Sequence, residues 1–131
     1  MNILHYIEST GFQFGGPPRF ALDACRVIAA EGHQATILTP DATDSPAAWL
    51  EEAGDHAENM PTVGRLGALM RPGAFIGLSG MRRVRAALKK ADVVHLHGVW
   101  APSNLQVAAA ARMMKVPYVI SLHGMLDDWS M

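Results

Sequence analysis

Residues 2–39 read NILHYIESTGFQFGGPPRFALDACRVIAAEGHQATILT, and this stretch decides the fold. It opens with a short apolar run, residues 2–7, which predicts a β-strand. Residues 8–18 follow with three glycines and two prolines, a composition typical of a loop. Pro17 or Pro18 suits the first turn of a helix, where a missing N–H costs nothing. The chain therefore starts as a strand and a glycine-rich loop that leads into a helix.

The second half of this stretch completes a repeating unit. Between Arg19 and Glu31 the apolar residues recur at helical spacing: Phe20, Ala21, Ala24, Val27 and Ile28. Gly32 is placed to end that helix. Residues 34–39 then predict a second strand. A strand, a loop, a helix and a strand within about 40 residues form a βαβ unit, which implies a parallel sheet.

The end of the chain repeats the pattern. Residues 92–96 predict a strand, 105–115 an alanine-rich helix and 117–122 another buried strand. The middle is harder to interpret: we expect a short helix at 47–53, an edge strand at 60–63 and a helix at 80–90. We therefore predict an α/β fold, a Rossmann-like open parallel sheet with helices on both faces, and no domain boundary within 1–131.

Composition bounds the possible functions. The chain has 131 residues, of which 50% are hydrophobic and 18% charged, which suits one globular domain. The N-terminus lacks a secretory pattern, and no apolar run reaches the roughly 18–20 residues that span a bilayer. The one cysteine, Cys25, falls in the first helix and is expected to be a buried structural thiol. These features fit a cytoplasmic protein.

Charge is unevenly distributed along the chain. The formal net charge of −1 argues against a dedicated nucleic-acid-binding protein. Residues 1–61 nevertheless hold nine acidic and two basic residues, whereas 62–131 hold nine basic and three acidic. A cluster of five cations comprises Arg82, Arg83, Arg85, Lys89 and Lys90. A solvated helix face is one interpretation. The other is a surface for anionic lipid or an anionic acceptor, which would hold the protein at the inner face of the membrane.

Polar clusters follow three of the predicted strands. Parallel sheets bind ligands beyond the carboxyl ends of their strands, so these clusters are expected to converge. After the first strand, Gly15 and Gly16 let a backbone approach a ligand closely, and a phosphate oxygen fits there. An ordinary glycine turn is the alternative, since neither GxGxxG nor the lysine of a phosphate-binding loop is present.

The other two clusters contain histidine. His95 is expected to point toward the helix layer as a core residue, while His97, on the opposite face at the strand end, is the better site candidate. His123 ends a buried strand next to Gly124 and can donate a hydrogen bond or carry a proton. A metal bound by these three histidines is possible but disfavoured, because no acidic fourth ligand is evident. Trp100 either stacks on a sugar ring or fills core volume.

The same residues resemble a known family. The first strand with GGPPR at 15–19 and the helix that ends in AAEGHQATILT at 29–39 resemble the start of family-4 glycosyltransferases. ADVVHLHGVW at 91–100 and VPYVISLHGMLD at 116–127 resemble later segments of that family, and the last is the most specific. Residues 42–90 show no recognisable match.

The resemblance implies a fold, a reaction and a set of residue roles. These enzymes transfer a sugar from a nucleoside diphosphate sugar to an acceptor with retention, use the two-domain GT-B fold, and generally need no metal or other cofactor. By this analogy Gly15 and Gly16 approach the donor diphosphate and His123 contacts the donor sugar near the reacting carbon. His97, Trp100 and Asp127 line the acceptor side. The acceptor, whether a glycan, a lipid or a small molecule, is not specified.

The resemblance also implies that a part is missing. The donor-binding basic residues of the family belong to a C-terminal domain, and residues 1–131 correspond to a partial N-terminal, acceptor-side domain without it. We therefore expect the isolated chain to be inactive, and to have an incompletely covered sheet edge that favours association. A non-catalytic nucleotide or sugar-phosphate binding module, or an interaction domain, is the alternative function.

Overall fold

The computed structural model describes residues 1–69 and 74–124, and within these ranges it forms one parallel sheet. The strand order is β3-β2-β1-β4-β5. The strands are β1 (Asn2–Tyr6), β2 (Gln34–Thr39), β3 (Thr62–Arg65), β4 (Val93–His97) and β5 (Tyr118–Ser121). The predicted Rossmann-like open sheet is confirmed. Because the chain returns to the other side of β1 after β3, the carboxyl ends of β1 and β4 flank the topological switch point.

Three helices connect the strands: α1 (Gly16–Ala30), α2 (Leu78–Leu88) and α3 (Pro102–Met113). Short 3₁₀ helices lie at Phe12–Phe14, Ala47–Trp49 and Glu51–Ala53. The predicted single helix at 47–53 is thus two 3₁₀ turns, and the loop expected at 8–18 contains a third. No helix of the described residues is long and apolar enough to cross a membrane.

Helix α1 starts three residues earlier than its apolar pattern suggested. Pro17 lies in the first turn, where its fixed backbone angle suits the helix and its missing N–H has no partner to lose. The helix ends at Ala30, and Gly32 follows with a φ of +90°, in the left-handed region that glycine adopts most readily. Both the diproline and the glycine are therefore boundary signals that the structure uses.

The two faces of the sheet carry separate hydrophobic cores. On one face Leu4 and Tyr6 of β1 pack with buried residues of α2 and α3. On the other face Ile37 of β2 packs with Leu22 and Cys25 of α1. Since successive strand residues alternate between faces, His5 lies on the α1 side of β1. The prediction of helices on both faces is confirmed.

Cys25 is fully buried on the face of α1 that packs against the sheet. Burial without a compensating charge raises the pKa of its thiol to about 12, so the thiolate is not populated at neutral pH. The prediction of a buried structural thiol is confirmed.

Strand β5 is the least covered element of the sheet. It pairs with β4 on one side, and its apolar side chains at positions 118, 119 and 120 are exposed. The prediction that residues 117–122 form a buried strand is therefore wrong for the described part of the chain, where no helix covers these side chains, whereas the predicted uncovered edge is confirmed there. Association through this edge stays a prediction.

Gly80, in the first turn of α2, should be the glycine least tolerant of a side chain. A Cβ at this position would lie 2.5 Å from Cγ2 of Ile76 and 3.1 Å from the backbone oxygen of Leu66. Gly80→Ala should therefore lower the free energy of unfolding by about 1–3 kcal/mol, despite the higher helix propensity of alanine. Urea unfolding measures this change.

Gly77 is the matched control, because it lies at the N-cap of the same helix and a Cβ there meets no atom of the described residues within 4 Å. Gly77→Ala should change the free energy of unfolding by less than about 0.5 kcal/mol, because alanine is the poorer N-cap residue but also lowers the conformational entropy of the unfolded chain, and the two effects oppose each other. Equal effects at both positions would contradict the close packing described at Gly80.

Candidate functional site

Four histidines meet at the carboxyl edge of the three adjacent strands β1, β4 and β5. The strand register places His5 of β1 directly beside His95 of β4. His97 lies two residues further along β4, level with Ser121 of β5. His123 follows β5 by two residues. The edge that the sequence predicted as a site is thus lined by imidazole rings.

Hydrogen bonds join three of these rings in a row. Nδ1 of His5 lies 3.1 Å from Nε2 of His97, and Nδ1 of His97 lies 3.2 Å from Nε2 of His123. The fourth ring, His95, bonds through Nε2 to the Ser121 hydroxyl at 2.6 Å. The row runs from the fully buried His5 to the partly exposed His123.

The expected separation of His95 and His97 onto opposite faces is wrong. The two residues are two positions apart in a strand, and a period of two returns side chains to the same face. Their rings stack with centroids 4.1 Å apart. Burial is also the reverse of the expectation, since His97 is 4% exposed and His95 is half-buried.

Burial keeps the histidine row neutral. Desolvation, together with the positive charge that His95 would carry, lowers the pKa of His5 to about 4. Desolvation and the neighbouring imidazoles lower the pKa of His97 to about 2. Burial also lowers the pKa of His95, with a further contribution from His123, and burial lowers that of His123. At pH 7 these rings are therefore uncharged and each has one N–H and one bare nitrogen.

A metal site is less well supported by this geometry than a hydrogen-bonded row. One nitrogen each of His5, His95 and His97 lies within 4.8 Å of the others. A tetrahedral zinc ion with bonds of about 2.0–2.1 Å holds its ligand nitrogens about 3.4 Å apart, so the rings would have to move closer together. Hydrogen bonds already engage nitrogens of all three rings. The set also differs from the sequence-based one, because His5 replaces His123.

His123 and Gly124 adopt an uncommon backbone conformation. Their φ angles are +50° and +76°, and the first is in the left-handed region that a residue with a Cβ rarely occupies. Such conformations persist where the surrounding structure imposes them, and they are concentrated at functional sites. The turn leaves the His123 ring partly exposed at the sheet edge.

The N-terminus of α1 reaches the same edge. Phe20, one turn after Gly16, contacts the His123 ring edge-on with centroids 5.2 Å apart. It also lies 5.9 Å from the His97 ring. Residues four apart share a helix face, so Gly16 is on the side of α1 that carries Phe20. The structure thus brings the start of α1 and the row of histidines together.

Gly15 and Gly16 leave open space at this N-terminus. Gly15 has φ +89° and ψ −142°, a conformation available essentially only to glycine. Among the described residues, apart from chain neighbours and the backbone of α1, no atom lies within 4 Å of a Cβ built on either glycine. The Gly15 N–H bonds to the Phe12 carbonyl. Pro17 and Pro18 have no N–H, so among the first three helical residues only Gly16 retains a donor for an anion.

Sequence reasoning missed several residues of this region. His5 lies within residues 2–7, which were predicted only as a strand, although a polar residue within a buried strand is a signal of function. Arg19 was predicted only as a residue of the first helix. Its guanidinium group lies 4.1 Å from the centroid of the Phe12 ring, and the side chain is exposed in the first turn of α1.

The two remaining predicted site residues are Trp100 and Asp127. Trp100 is 59% exposed in the turn between β4 and α3, so it does not fill core volume. Asp127 lies outside the described residues. A cavity of about 300 Å³ opens at the other end of the strands, lined among others by Asn2, Gln34 and Thr62, and it contains none of the site residues.

Comparison with known proteins gives a family and a fold. The family profile described as "Glycosyl transferase 4-like domain" matches residues 15–131. No curated protein matches the chain. The C-terminal domain of a hydrogenase from Pyrococcus furiosus superposes with a TM-score of 0.53 at 16% identity, over 92% of each chain. A second structure of that domain gives 0.49 at 15% identity, over 92% of this chain and 91% of that one. At such low identity the likeness concerns the fold alone.

Acidification should destabilise the folded chain through the buried histidines. His5 and His97 have folded-state pKa values of about 4 and about 2, below the 6.5 of an unfolded histidine. Below pH 6.5 the unfolded chain takes up protons that the folded chain does not, so stability is complete above that pH and falls toward the folded pKa values. Each histidine contributes up to about 1.4 kcal/mol per pH unit.

Urea unfolding at pH 7.5 and pH 5.0 measures this effect, and the expected loss is roughly 3–4 kcal/mol. The lower pH stays above 3.8, where Asp41, whose pKa is lowered by hydrogen bonds from Ser9 and Thr43, would begin to contribute. The exposed His33→Gln variant is the control and should show the same loss. Equal free energies of unfolding at the two pH values would contradict the prediction, because they would show that the histidines take up protons in the folded chain as readily as in the unfolded chain.

Proposed function

Because the chain belongs to the glycosyl transferase 4-like family, we propose that it is the acceptor-side half of a retaining glycosyltransferase of the GT-B type. It takes part in sugar transfer from a nucleoside diphosphate sugar to an acceptor, with the reacting groups placed at the carboxyl edge of β1, β4 and β5. The observation that carries this proposal is the partly exposed His123 ring, held in a left-handed turn and in contact with Phe20 of α1.

The donor diphosphate is proposed to lie at the N-terminus of α1. A helix N-terminus attracts an anion through its free N–H groups and its dipole. Because Pro17 and Pro18 have no N–H, only Gly16 offers a free backbone donor among the first three residues of the helix. Backbone hydrogen bonds alone would therefore bind a phosphate weakly here. Arg19 in the same turn supplies a positive charge that compensates for this deficit. Gly15 and Gly16 provide the space for the phosphate to approach.

His123 is proposed to contact the donor sugar, and His97 and Trp100 to form the acceptor side. The exposed indole of Trp100 offers an apolar face with a polar N–H, which suits a sugar ring. His97 is buried, and both of its nitrogens are engaged by other imidazoles, so its effect on an acceptor is exerted through His123. Asp127 retains its proposed acceptor-side role from the family resemblance alone.

The isolated chain is proposed to be inactive as a transferase. In the part of the chain that the structure describes, the site edge faces water, which screens charges there, so few interactions remain to stabilise a transition state. Sugar transfer by the pure chain would overturn this part of the proposal. Binding of a nucleotide sugar without transfer fits both the enzyme half and the alternative of a non-catalytic binding module.

The exposed face of α2 is proposed to contact anionic lipid at the inner face of the membrane. Arg82, Arg85 and Lys89 follow Leu78 at helical spacing, which aligns all four on one stripe. Leu78 is 81% exposed, and Phe75 just before the helix is exposed as well. Apolar residues followed by cations on one helix face suit an interfacial helix. Arg83 is not free for this role, because it bonds to Glu51 and to the Arg65 carbonyl.

Replacing His123 should weaken binding of the donor. Calorimetric titration of the chain with UDP-glucose and with GDP-mannose should show binding of at least one of them. His123→Ala should weaken that binding about tenfold, because one hydrogen bond to a polar or charged ligand group is lost. His33→Ala is the control, since His33 is exposed at the other end of the strands. Undiminished affinity in His123→Ala would refute the proposed site.

Reversing the charges on the α2 stripe should abolish vesicle binding. Arg82→Glu, Arg85→Glu and Lys89→Glu in one variant should eliminate cosedimentation with phosphatidylserine vesicles at 0.1 M salt, since each cation contributes about 1 kcal/mol near such a surface. The matched control reverses Arg26, Arg112 and Lys115, three exposed cations elsewhere, with the same change in net charge. Equal loss in both variants would indicate a net-charge effect rather than a surface on α2.

A further inference from the structure

The histidine row has a direction that proton counting reveals. A neutral imidazole has one N–H donor and one bare nitrogen acceptor. His97 uses both of its nitrogens, one toward His5 and one toward His123, so it donates to one of them and accepts from the other. Two arrangements exist. In the outward one, each ring donates to the next ring in the direction from His5 to His123. In the inward one, each ring donates in the direction from His123 to His5.

The buried end of the row favours one arrangement. Nε2 of His5 is buried and has no hydrogen-bond partner among the described residues. If the protons point inward, this atom carries an N–H with no acceptor. If they point outward, His5 donates through Nδ1, and Nε2 is a bare nitrogen. Orphaned buried N–H groups are the rarer of the two defects in proteins, so the outward direction is the more stable.

The rings are also held against rotation. The His97 ring is stacked on His95 with centroids 4.1 Å apart and an interplanar angle of 23°. The ring of Phe20, on α1, also packs against the His97 ring, with centroids 5.9 Å apart. The row therefore offers His123 a fixed partner whose Nδ1–H points at the His123 Nε2 atom.

We propose that His97, supported by His5, is a positioning residue that fixes His123 as the neutral Nδ1–H tautomer. His123 then presents an N–H donor, and not a bare basic nitrogen, to whatever lies at the edge. The fitting ligand group is an oxygen acceptor such as a sugar hydroxyl or a phosphate oxygen. This inference rests on the proposed function only in assigning the ligand, because the tautomer is a property of the free chain.

Side-chain ¹H–¹⁵N NMR of the ¹⁵N-labelled chain at pH 7.5 tests the tautomer directly, with EDTA present to exclude metal. The expected result is a His123 ring protonated at Nδ1, assigned in the wild-type chain by through-bond correlation of the ring signals with the backbone signals of residue 123. A His123 ring protonated at Nε2, or a doubly protonated one, would overturn the proposal. The wild-type chain alone gives this answer, so it does not depend on whether any variant folds.

Three further variants test the cause. His97→Phe keeps a planar ring in the buried position but removes both nitrogens, and the preference of His123 for Nδ1–H should be lost. His95→Phe is the control, because His95 stacks on the same ring and bonds to Ser121 rather than to the row. An unchanged His123 tautomer in His97→Phe would overturn the positioning role. His5→Phe, which removes the first donor of the row, repeats the test from the other end.

Ligand titration separates this inference from the proposed function. His97→Phe should weaken binding of UDP-glucose or GDP-mannose about fivefold, close to the value of one neutral hydrogen bond, without removing the His123 ring. An Nδ1–H tautomer together with undiminished binding in His123→Ala would refute the sugar-binding proposal and leave the tautomer standing. An Nε2–H tautomer together with weakened binding in His123→Ala would refute the tautomer proposal and leave the sugar-binding proposal standing.

Discussion

The candidate site depends on the register between β1 and β4. Backbone hydrogen bonds of a parallel ladder fix which residues lie side by side, and here they place His5 level with His95. A slip of one residue would turn His5 toward α2 and α3 and break its bond to His97. The same ladder is flanked by apolar residues on both faces, Leu4 and Tyr6 against one core and Ile7 against the other, which oppose such a slip. Packing of the two cores thus aligns the imidazoles.

The histidine row interrupts the core on the α1 side. Buried polar groups cost free energy unless hydrogen bonds compensate, and a row of neutral imidazoles satisfies most but not all of its atoms. At the buried end of the row, Nε2 of His5 has no hydrogen-bond partner among the described residues, so the cost of burying that atom is not compensated. An apolar side chain at that position would pack without this cost, so stability alone does not explain the residue. A role that requires a defined proton position does explain it, and the left-handed backbone at His123 is a second local cost at the same edge.

Local signals in the sequence predicted the elements better than the site. Strand β2 was predicted at its observed bounds, because apolar residues lie between Gly32 and Pro40 and the limits are sharp. Helix α2 begins at Leu78 rather than Gly80, since Gly77 serves as the N-cap and no side-chain cap marks the start. The strand-end cluster was predicted from topology, and its partners were not. His5 joins His97 across 92 positions of sequence, a pairing that only the sheet register determines. Strand direction therefore predicted the sheet edge at which the polar residues converge, whereas the hydrogen bonds among them depend on the register of the sheet, which the sequence does not give.

The two prolines at the start of α1 also lower the conformational entropy of that turn, in addition to removing two N–H donors. Proline fixes φ near the helical value, so the first turn of α1 has few alternative conformations to visit. Pro18 is buried as well, which anchors that turn to the body of the domain. A helix end usually frays, and a ligand that binds there must first arrest it. Here the prolines restrict the backbone next to the Gly16 amide in the free chain. An anion that binds at this end of α1, as proposed, would therefore incur little ordering penalty, which would partly offset the loss of two N–H donors.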